Sequence, residues 1–555
     1  MKVSIGESLR RNRQQGWYWG VVTVVILIFC VLFILYPFGR LFMQSFFEDG
    51  HFTLANYVKF FGREAYRKVL GNTLKVSISA TLLGVLLGLP MAYVSTRFNI
   101  WGKKAINACV VLSMLSPPFI GAYSWILLLG KAGYITTFIR NAFGIDIGSI
   151  YGFNGILLVF TLKLFPYVYM YTSTALQNFD SALEEASESL GVHGFARIRR
   201  VTMPIIMPTI LSAALIVFMT SMADFGTPVL IGRGYKVLTV LIYEKYLSEV
   251  STQASFASAM AVVAVVFTMA VLFLQKWILN RKSYTMSAMR PPEVVKLTTG
   301  KRVLATAFVW IVALIAMLPQ ITIIITSFRN TNGSQFVAGF GLDNYRAIAS
   351  RVGSIVNTYK FSIIAIILMM ILGLHLAYII VRRKGKVANL LDVLAMFPYV
   401  IPGSVIGIGM VLAFNTKPLI LTGTAAIMVI AYTIRKLPFT LRSSIGTLYQ
   451  IEPAIEEASI SLGEPPMKTF FKTTAILMLP GMLSGAVLSF VATINELSST
   501  IILYTGGTST ISAAIYTTLF ADAYGPAAAL STILTASTIL ALLLFNKISG
   551  GKNVI

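Results

Sequence analysis

Twelve long apolar runs, separated by short polar stretches, set the pattern of this chain. A run of roughly 20 apolar residues is long enough to cross a bilayer as a helix. The runs lie at about 17–43, 70–94, 105–130, 154–175, 207–231, 254–279, 303–327, 356–381, 388–414, 419–441, 480–504 and 526–546. The pattern therefore predicts an all-α integral membrane protein with twelve transmembrane helices, and the even number places both termini on one side.

The basic residues predict which side that is. Lys2, Arg10, Arg11 and Arg13 precede the first run, which is too long for a cleaved signal peptide, so we interpret it as an uncleaved first span with a cytoplasmic N-terminus. Later basic clusters fall on the same predicted side, and the opposite loops hold fewer basic residues. These clusters are Arg97, Lys103 and Lys104; Arg197, Arg199 and Arg200; Arg281, Lys282, Arg290, Lys296, Lys301 and Arg302; and Arg382, Arg383, Lys384 and Lys386. We therefore attribute the formal net charge of +24 to the basic loops that set the membrane orientation, and we expect no nucleic-acid partner.

Composition narrows the function classes further. With 56% hydrophobic and 12% charged residues in 555, the chain is expected to contact membrane lipid over much of its surface. Cys30 and Cys109 lie in apolar runs, so no disulfide framework is predicted. The three histidines are scattered, which predicts no metal site. The chain has no G-x-x-x-x-G-K-[ST] motif and no catalytic constellation, so we expect neither an ATPase nor another enzyme.

One short polar stretch occurs twice. Glu184-Glu185-Ala186-Ser187-Glu188-Ser189-Leu190-Gly191 returns as Glu456-Glu457-Ala458-Ser459-Ile460-Ser461-Leu462-Gly463, displaced by 456 − 184 = 272 positions. Pro208 and Pro480, which follow the two stretches, are also 272 apart, as are Lys163 and Arg435, and Asp224 and Glu496. The chain is therefore predicted to contain two related halves.

The boundaries of the halves follow from the repeat and from one polar connection. We predict a first half at residues 1–279 with its core repeat at about 70–279, a cytoplasmic linker at 280–302, and a second half at 303–555 with its core repeat at about 355–546. Each half has six predicted spans, so both insert with the same orientation. This predicts two parallel six-helix repeats about an axis along the membrane normal.

The repeated stretch resembles the E-A-A signature loop of the permease subunits of type I ABC importers, which have the MetI-like permease fold. The resemblance implies that each loop forms a short coupling helix that docks on an ATPase, with Glu184, Glu185, Ala186, Gly191, Glu456, Glu457, Ala458 and Gly463 as the coupling residues. It further implies a homodimeric cytoplasmic ABC ATPase that holds the ATP, an extracytoplasmic solute-binding protein, no cofactor on this chain, and a place in the bacterial cytoplasmic (inner) membrane with both termini cytoplasmic. The alternative for each loop is an ordinary solvated amphipathic segment.

Asp224 and Glu496 allow two interpretations. Counted from the prolines at about 1.5 Å per residue, each acid lies about 24 Å into a span, where an ionisable group is costly and suggests function. The two carboxylates could line a path for a cation, together with Ser498 and Ser499, which could interrupt the helix there. They could instead form internal ion pairs with Lys163 and Arg435. The sequence leaves both possibilities open.

A fused chain with an acid near the end of the span after each E-A-A loop resembles the ferric iron permease family. The stretches that carry this resemblance are Ala223-Asp224-Phe225-Gly226-Thr227-Pro228-Val229-Leu230-Ile231-Gly232 with Leu241-Ile242-Tyr243, and Asn495-Glu496-Leu497-Ser498-Ser499-Thr500 with Ala514-Ile515-Tyr516. The resemblance implies an importer of ferric iron. Related permeases import thiamine, polyamines, phosphonates or sugar phosphates, and these substrates stay open. An ion-gradient-driven secondary transporter is a more distant alternative, because such a carrier has no use for an ATPase docking helix.

Overall fold

The computed structural model describes residues 16–48, 50–114, 118–146, 148–247, 253–280, 294–332 and 335–548, and nearly all of these residues are helical. The predicted all-α membrane fold is confirmed. The basic residues before the first span, most of the predicted linker, and Arg281, Lys282 and Arg290 within it lie outside the described residues.

The first part of the chain forms fourteen helices and one small hairpin in its described ranges. The helices are α1 (Gly16–Cys30), continued by a π-helical turn (Val31–Leu35), α2 (Tyr36–Phe46), α3 (Ala55–Gly62), α4 (Glu64–Arg97), α5 (Lys103–Met114), α6 (Pro118–Leu129), α7 (Tyr134–Phe143), α8 (Phe153–Gln177), α9 (Ser181–Ser189), α10 (Gly194–Arg197), continued by a π-helical turn (Ile198–Thr202), α11 (Met203–Ala223), α12 (Gly226–Ile231), α13 (Leu238–Leu247) and α14 (Gln253–Asn280). Strands β1 (Phe47–Glu48) and β2 (His51–Phe52) pair antiparallel.

The second part repeats much of this order. Its helices are α15 (Thr299–Ser327), α16 (Asp343–Ala347), a 3-10 turn (Ile348–Arg351), α17 (Val352–Tyr378), a π-helical turn (Ile379–Arg383), α18 (Lys386–Val400), α19 (Gly403–Phe414), α20 (Ala425–Gln450), α21 (Pro453–Ser461), α22 (Pro466–Thr469), a π-helical turn (Phe470–Thr474), α23 (Ala475–Ile494), α24 (Thr500–Leu503), a 3-10 turn (Gly506–Thr508), α25 (Ile511–Phe520) and α26 (Tyr524–Ile548). Strands β3 (Arg329–Asn332) and β4 (Gln335–Phe340) form a second antiparallel hairpin.

By length and apolarity, the described residues contain fewer than twelve candidate membrane spans. Within the described ranges, nine helices could cross a membrane, or up to eleven if each of two bent helix pairs is one span. One bent pair joins α18 to α19 at an angle of 112°. The predicted run at 419–441 corresponds to α20, which has 26 residues but carries Arg435, Lys436 and Arg442 along its length. The count of twelve therefore stays a prediction that depends on α20.

The chain divides into two compact units. The larger unit comprises Ser45–Ile348 and Thr517–Thr535 among its described residues. Helices α4, α8 and α11 pack together at its centre. At Gly88 of α4 a side chain would come within 2.8 Å of the Phe165 carbonyl oxygen and 2.9 Å of the Val168 side chain. A small residue thus allows two backbones to approach, which is how helices commonly associate where lipid is the solvent.

Among its described residues, the smaller unit comprises 16–44, 349–516 and 536–548. Its centre repeats the arrangement of the larger unit, because α17, α20 and α23 pack together as α4, α8 and α11 do. Gly485 of α23 faces Thr440 and Ser443 of α20, where a Cβ would lie 2.6 Å from the Ser443 Cβ. The two cores are therefore built from equivalent helices.

Each compact unit also contains the first span of the other sequence half. Helix α15 packs against α5 and α6 in the larger unit, and Ser124 donates a hydrogen bond to the Pro319 carbonyl at 2.9 Å. Helix α1 packs in the smaller unit, where the Trp19 ring stacks on the Tyr378 ring with centroids 4.4 Å apart. The compact units consequently cross the predicted sequence boundary near residue 280, whereas the boundary itself stays a prediction.

Candidate functional site

The two repeated polar stretches form equivalent short helices, α9 and α21. Asp180 begins α9 by accepting a hydrogen bond from the Ala182 N–H at 3.0 Å, and Pro453 is the first residue of α21. Both choices favour a helix start, because a carboxylate pairs with a free N–H group and proline has none to leave unpaired.

A glycine in the left-handed region lies two positions after the last residue of each helix. Gly191 has φ +77° and Gly463 has φ +93°. Each N–H group bonds a carbonyl of the preceding helix, that of Glu188 at 2.9 Å and that of Ile460 at 3.0 Å. Glycine takes this conformation without a Cβ penalty, so it both ends the helix and turns the chain.

The first glutamate of each pair is anchored within its own unit. In the larger unit, Arg97 Nη2 lies 2.6 Å from Glu184 Oε1. In the smaller unit, Arg382 Nε lies 2.9 Å from Glu456 Oε1, and Tyr378 donates to Glu456 Oε2 at 3.1 Å. The glutamate side chains are 16% and 13% exposed. Sequence reasoning missed these two arginine partners.

The second glutamate of each pair faces outward. Glu185 and Glu457 are exposed, and so are Ala186 and Ala458. The neighbouring leucines, Leu190 and Leu462, are 83% and 88% exposed. Each short helix thus has one face bound to its own unit and another that offers both apolar and acidic groups to solvent or to a partner.

Asp224 lies in a short non-helical turn between two helices, not inside a helix. Helix α11 ends at Ala223, and α12 begins at Gly226. The carboxylate accepts from Lys163 Nζ at 3.0 Å through Oδ2, and from the Thr227 N–H at 2.8 Å through Oδ1. The Asp224 side chain is only 4% exposed, so its charge needs a partner within the protein, and Lys163 provides it.

Glu496 repeats this arrangement with one more cation. It lies between α23 and α24, pairs with Arg435, and lies 2.8 Å from Lys436 Nζ. Its Oε1 atom also accepts from the N–H of Ser499 at 3.1 Å and from the hydroxyl at 3.2 Å. The sequence prediction named Ser499 and Arg435 but missed Lys436, although two adjacent basic residues within an apolar run were a visible signal. The position equivalent to Lys436 in the first half is Leu164 (436 − 272 = 164).

Ser498 lies against the bend between α18 and α19. A Cβ at Gly403 would lie 2.6 Å from the Ser498 Cβ and would also collide with the Arg435 guanidinium. The break after α23 and the bend before α19 therefore meet at the Glu496 ion pair. In the described part of the chain, no group of three His, Cys, Asp or Glu side chains could hold a metal ion.

Comparison with known protein families identifies the class of transport protein to which this membrane chain belongs. Residues 84–284 and 369–550 match the family described as binding-protein-dependent transport system inner membrane component, and the chain belongs to that family. The predicted class, a fused double-domain permease of the ABC importer type, is confirmed.

Two individual relatives match over most of both chains. The chain is 29% identical over 545 residues to the ferric transport system permease protein FbpB of Actinobacillus pleuropneumoniae, covering 96% of this chain and 78% of the relative. It is 24% identical over 467 residues to the Fe(3+)-transport system permease protein FbpB 2 of Haemophilus influenzae, covering 83% and 86%. Among solved structures, a chain of a bacterial ABC transporter involved in the import of the acidic polysaccharide alginate matches 50% of this chain and 99% of its own length, at 18% identity and a TM-score of 0.42.

Proposed function

We propose that this chain is the permease subunit of an ATP-driven, binding-protein-dependent importer of ferric iron. The identity of the substrate is supported by the similarity to a ferric transport permease across 96% of the chain. The observation that supports the mechanism is the pair of equivalent E-A-A helices, each anchored on one face and exposed on the other.

The two helices support a homodimeric ATPase as the partner. Each helix exposes a Glu-Ala pair and a leucine in the same order, so two copies of one ATPase would meet two like surfaces. The exposed apolar residues Leu190 and Leu462 would be buried in a groove of the ATPase, and the chain itself would bind no ATP. In this arrangement both helices face the cytoplasm of a bacterium, both termini lie on that side of the inner membrane, and a solute-binding protein delivers iron from the other side.

The coupling residues have distinct roles in this proposal. Glu185, Ala186, Glu457 and Ala458 would contact the ATPase, whereas Gly191 and Gly463 would set the direction in which the chain returns to the membrane. Asp224 and Glu496 would stabilise the breaks after α11 and α23 through their ion pairs. A bare cation in the pathway would find both carboxylates already compensated, so these groups would shape the pathway without binding the ion.

Reconstitution tests the proposal. The chain would be placed in proteoliposomes together with an ABC ATPase that co-purifies with it and a solute-binding protein that stimulates the resulting complex. We expect ATP-dependent accumulation of ⁵⁵Fe³⁺ presented by the binding protein, and none with a non-hydrolysable nucleotide. Uptake of thiamine, spermidine, a phosphonate or a sugar phosphate with no ⁵⁵Fe uptake would refute ferric iron as the substrate. Uptake driven by an ion gradient without ATP would overturn the importer class.

A further inference from the structure

The two adjacent glutamates of each E-A-A loop point in different directions. Glu184 and Glu456 turn towards their own units and are mostly buried, whereas Glu185 and Glu457 are exposed. A docking surface needs only the outward pair. The inward pair therefore has a separate task.

Both inward glutamates bind the same part of the fold. Arg97 is the last residue of α4, and Arg382 lies in the π-helical turn that continues α17. Helices α4 and α17 are equivalent members of the two three-helix cores. Each inward glutamate thus connects a loop helix directly to the end of a core helix.

The pairing is not a by-product of a fixed spacing. Arg97 and Glu184 are 87 positions apart, whereas Arg382 and Glu456 are 74 positions apart. The intervening segments differ by 87 − 74 = 13 residues, yet the same two contacts form. The same ion pair forms in both halves although the chain length between its partners differs, which indicates a constraint on the position of the loop helix.

Burial distinguishes these pairs from ordinary surface ion pairs. The Arg97 side chain is 5% exposed, and both partners of the Arg382 pair are 13% exposed. On the same loop, the Lys472–Glu464 pair is 65% and 39% exposed at 3.3 Å. An exposed pair of this kind contributes little, whereas breaking a buried pair leaves a charge without its partner.

We propose that Glu184 and Glu456 are positioning residues that fix the coupling helices to the ends of α4 and α17, so that movement of the ATPase is passed to the core helices. The inference rests on the proposed coupling function of α9 and α21. It adds that coupling fails when the connection to α4 or α17 is lost, even if the ATPase stays bound. In the smaller unit the connection continues to α1, because Tyr378 both donates to Glu456 and stacks on Trp19.

The experiment compares E184Q/E456Q with E464Q as the matched control. Each purified permease–ATPase complex is reconstituted, and three quantities are measured: the amount of ATPase that co-purifies, the factor by which the binding protein stimulates ATP hydrolysis, and ⁵⁵Fe³⁺ taken up per ATP. We expect E184Q/E456Q to keep its ATPase but to lose at least about fivefold in stimulation, the lower end of typical coupling between sites. E464Q should behave as the wild type.

Charge exchange and a milder variant separate positioning from folding. The quadruple variant R97E/E184R/R382E/E456R restores both pairs with opposite polarity, and we expect it to recover stimulation. Y378F removes one hydrogen bond to Glu456 and should give a smaller loss than E456Q.

Three results would overturn the positioning role. Unchanged stimulation in E184Q/E456Q would show that the ion pairs are dispensable. Loss of the ATPase from that complex would place these glutamates at the docking surface. Failure of the charge exchange to restore stimulation would show that the charges matter for another reason. A wild-type complex that takes up no ⁵⁵Fe would refute only the iron substrate, because stimulation of ATP hydrolysis is measured separately.

Discussion

Lys163 Nζ lies 3.0 Å from Asp224 Oδ2, and the second oxygen of the same carboxylate accepts a hydrogen bond from the Thr227 N–H in the first turn of α12. One carboxylate therefore connects α8 to the start of α12 and stabilises the non-helical turn between α11 and α12. Removal of its charge is expected to affect the fold before it affects transport.

The first prediction concerns D224N. The variant leaves Lys163 as a buried cation without its partner, at a cost of about 3–5 kcal/mol. We expect a marked fall in the yield of folded protein, measured by fluorescence-detected size-exclusion chromatography. K163M/D224N should restore the yield, because it removes both charges. D146N is the control, since Asp146 belongs to an exposed pair with Arg140 at 3.9 Å. Normal yield of D224N together with loss of transport would favour direct contact with the substrate.

The second prediction concerns the extra cation beside Glu496. E496Q leaves both Arg435 and Lys436 buried, so we expect a larger loss of yield than for D224N. R435M/E496Q should recover only part of the yield, and R435M/K436M/E496Q should recover most of it. The same chromatographic measurement applies to the whole series. Full recovery in R435M/E496Q would show that Lys436 needs no carboxylate.

The third prediction concerns the glycines that end α9 and α21. G191V and G463V force a β-branched side chain into positive φ, at a cost of roughly 1–2 kcal/mol for each residue. We expect the paired variant to insert normally but to bind less ATPase, as measured by co-purification. G446A is the control, because no atom lies within 4 Å of the added Cβ and its φ is ordinary. Normal ATPase binding and transport by G191V/G463V would contradict a coupling role for these turns.

The fourth prediction tests helix packing on α4. G88A places a methyl group within 2.8 Å of the Phe165 carbonyl oxygen, which belongs to the backbone of α8. Backbone cannot yield as a flexible side chain can, so we expect a lower melting temperature in detergent. The thermal shift should correspond to about 1–3 kcal/mol. G71A lies on the same helix with nothing within 4 Å and should melt as the wild type does. Equal melting temperatures for the two variants would show that α4 and α8 can separate without cost.

Hydropathy and the repeat predict the fold class, and the repeat relates Lys163 and Asp224 to Arg435 and Glu496. Both residues are displaced by the same 272 positions from their counterparts, so a pairing in one half implied a pairing in the other. The Arg97–Glu184 pair could not be found in this way. Its counterpart has a different spacing, and nothing in a string of residues indicates which of two adjacent glutamates turns inward.

The sequence also does not show that each compact unit contains the first span of the other sequence half. In lipid, apolar residues cover every face of a span, so hydropathy does not show which neighbour a helix will contact. Hydropathy does not show where the helix ends at Asp224, for a related reason. Residues 225–231 are almost as apolar as the helix before them, and the turn is held by hydrogen bonds of a carboxylate that hydropathy counts only as a penalty.

The placement of α1 in the smaller unit has a consequence for biosynthesis. That unit contains both α1 and the end of α26, so two spans that are synthesised far apart in time pack in the same unit. At roughly 5–20 residues per second, the 500 or so residues between them take about 25–100 s to make. Tyr378, whose ring stacks on Trp19, follows it by 378 − 19 = 359 residues, so α1 has to remain in the bilayer without this partner for most of that time. The surface of α1 is largely apolar, with tryptophan and tyrosine near its N-terminal end. Such a helix is stable in lipid before it packs against the rest of its unit.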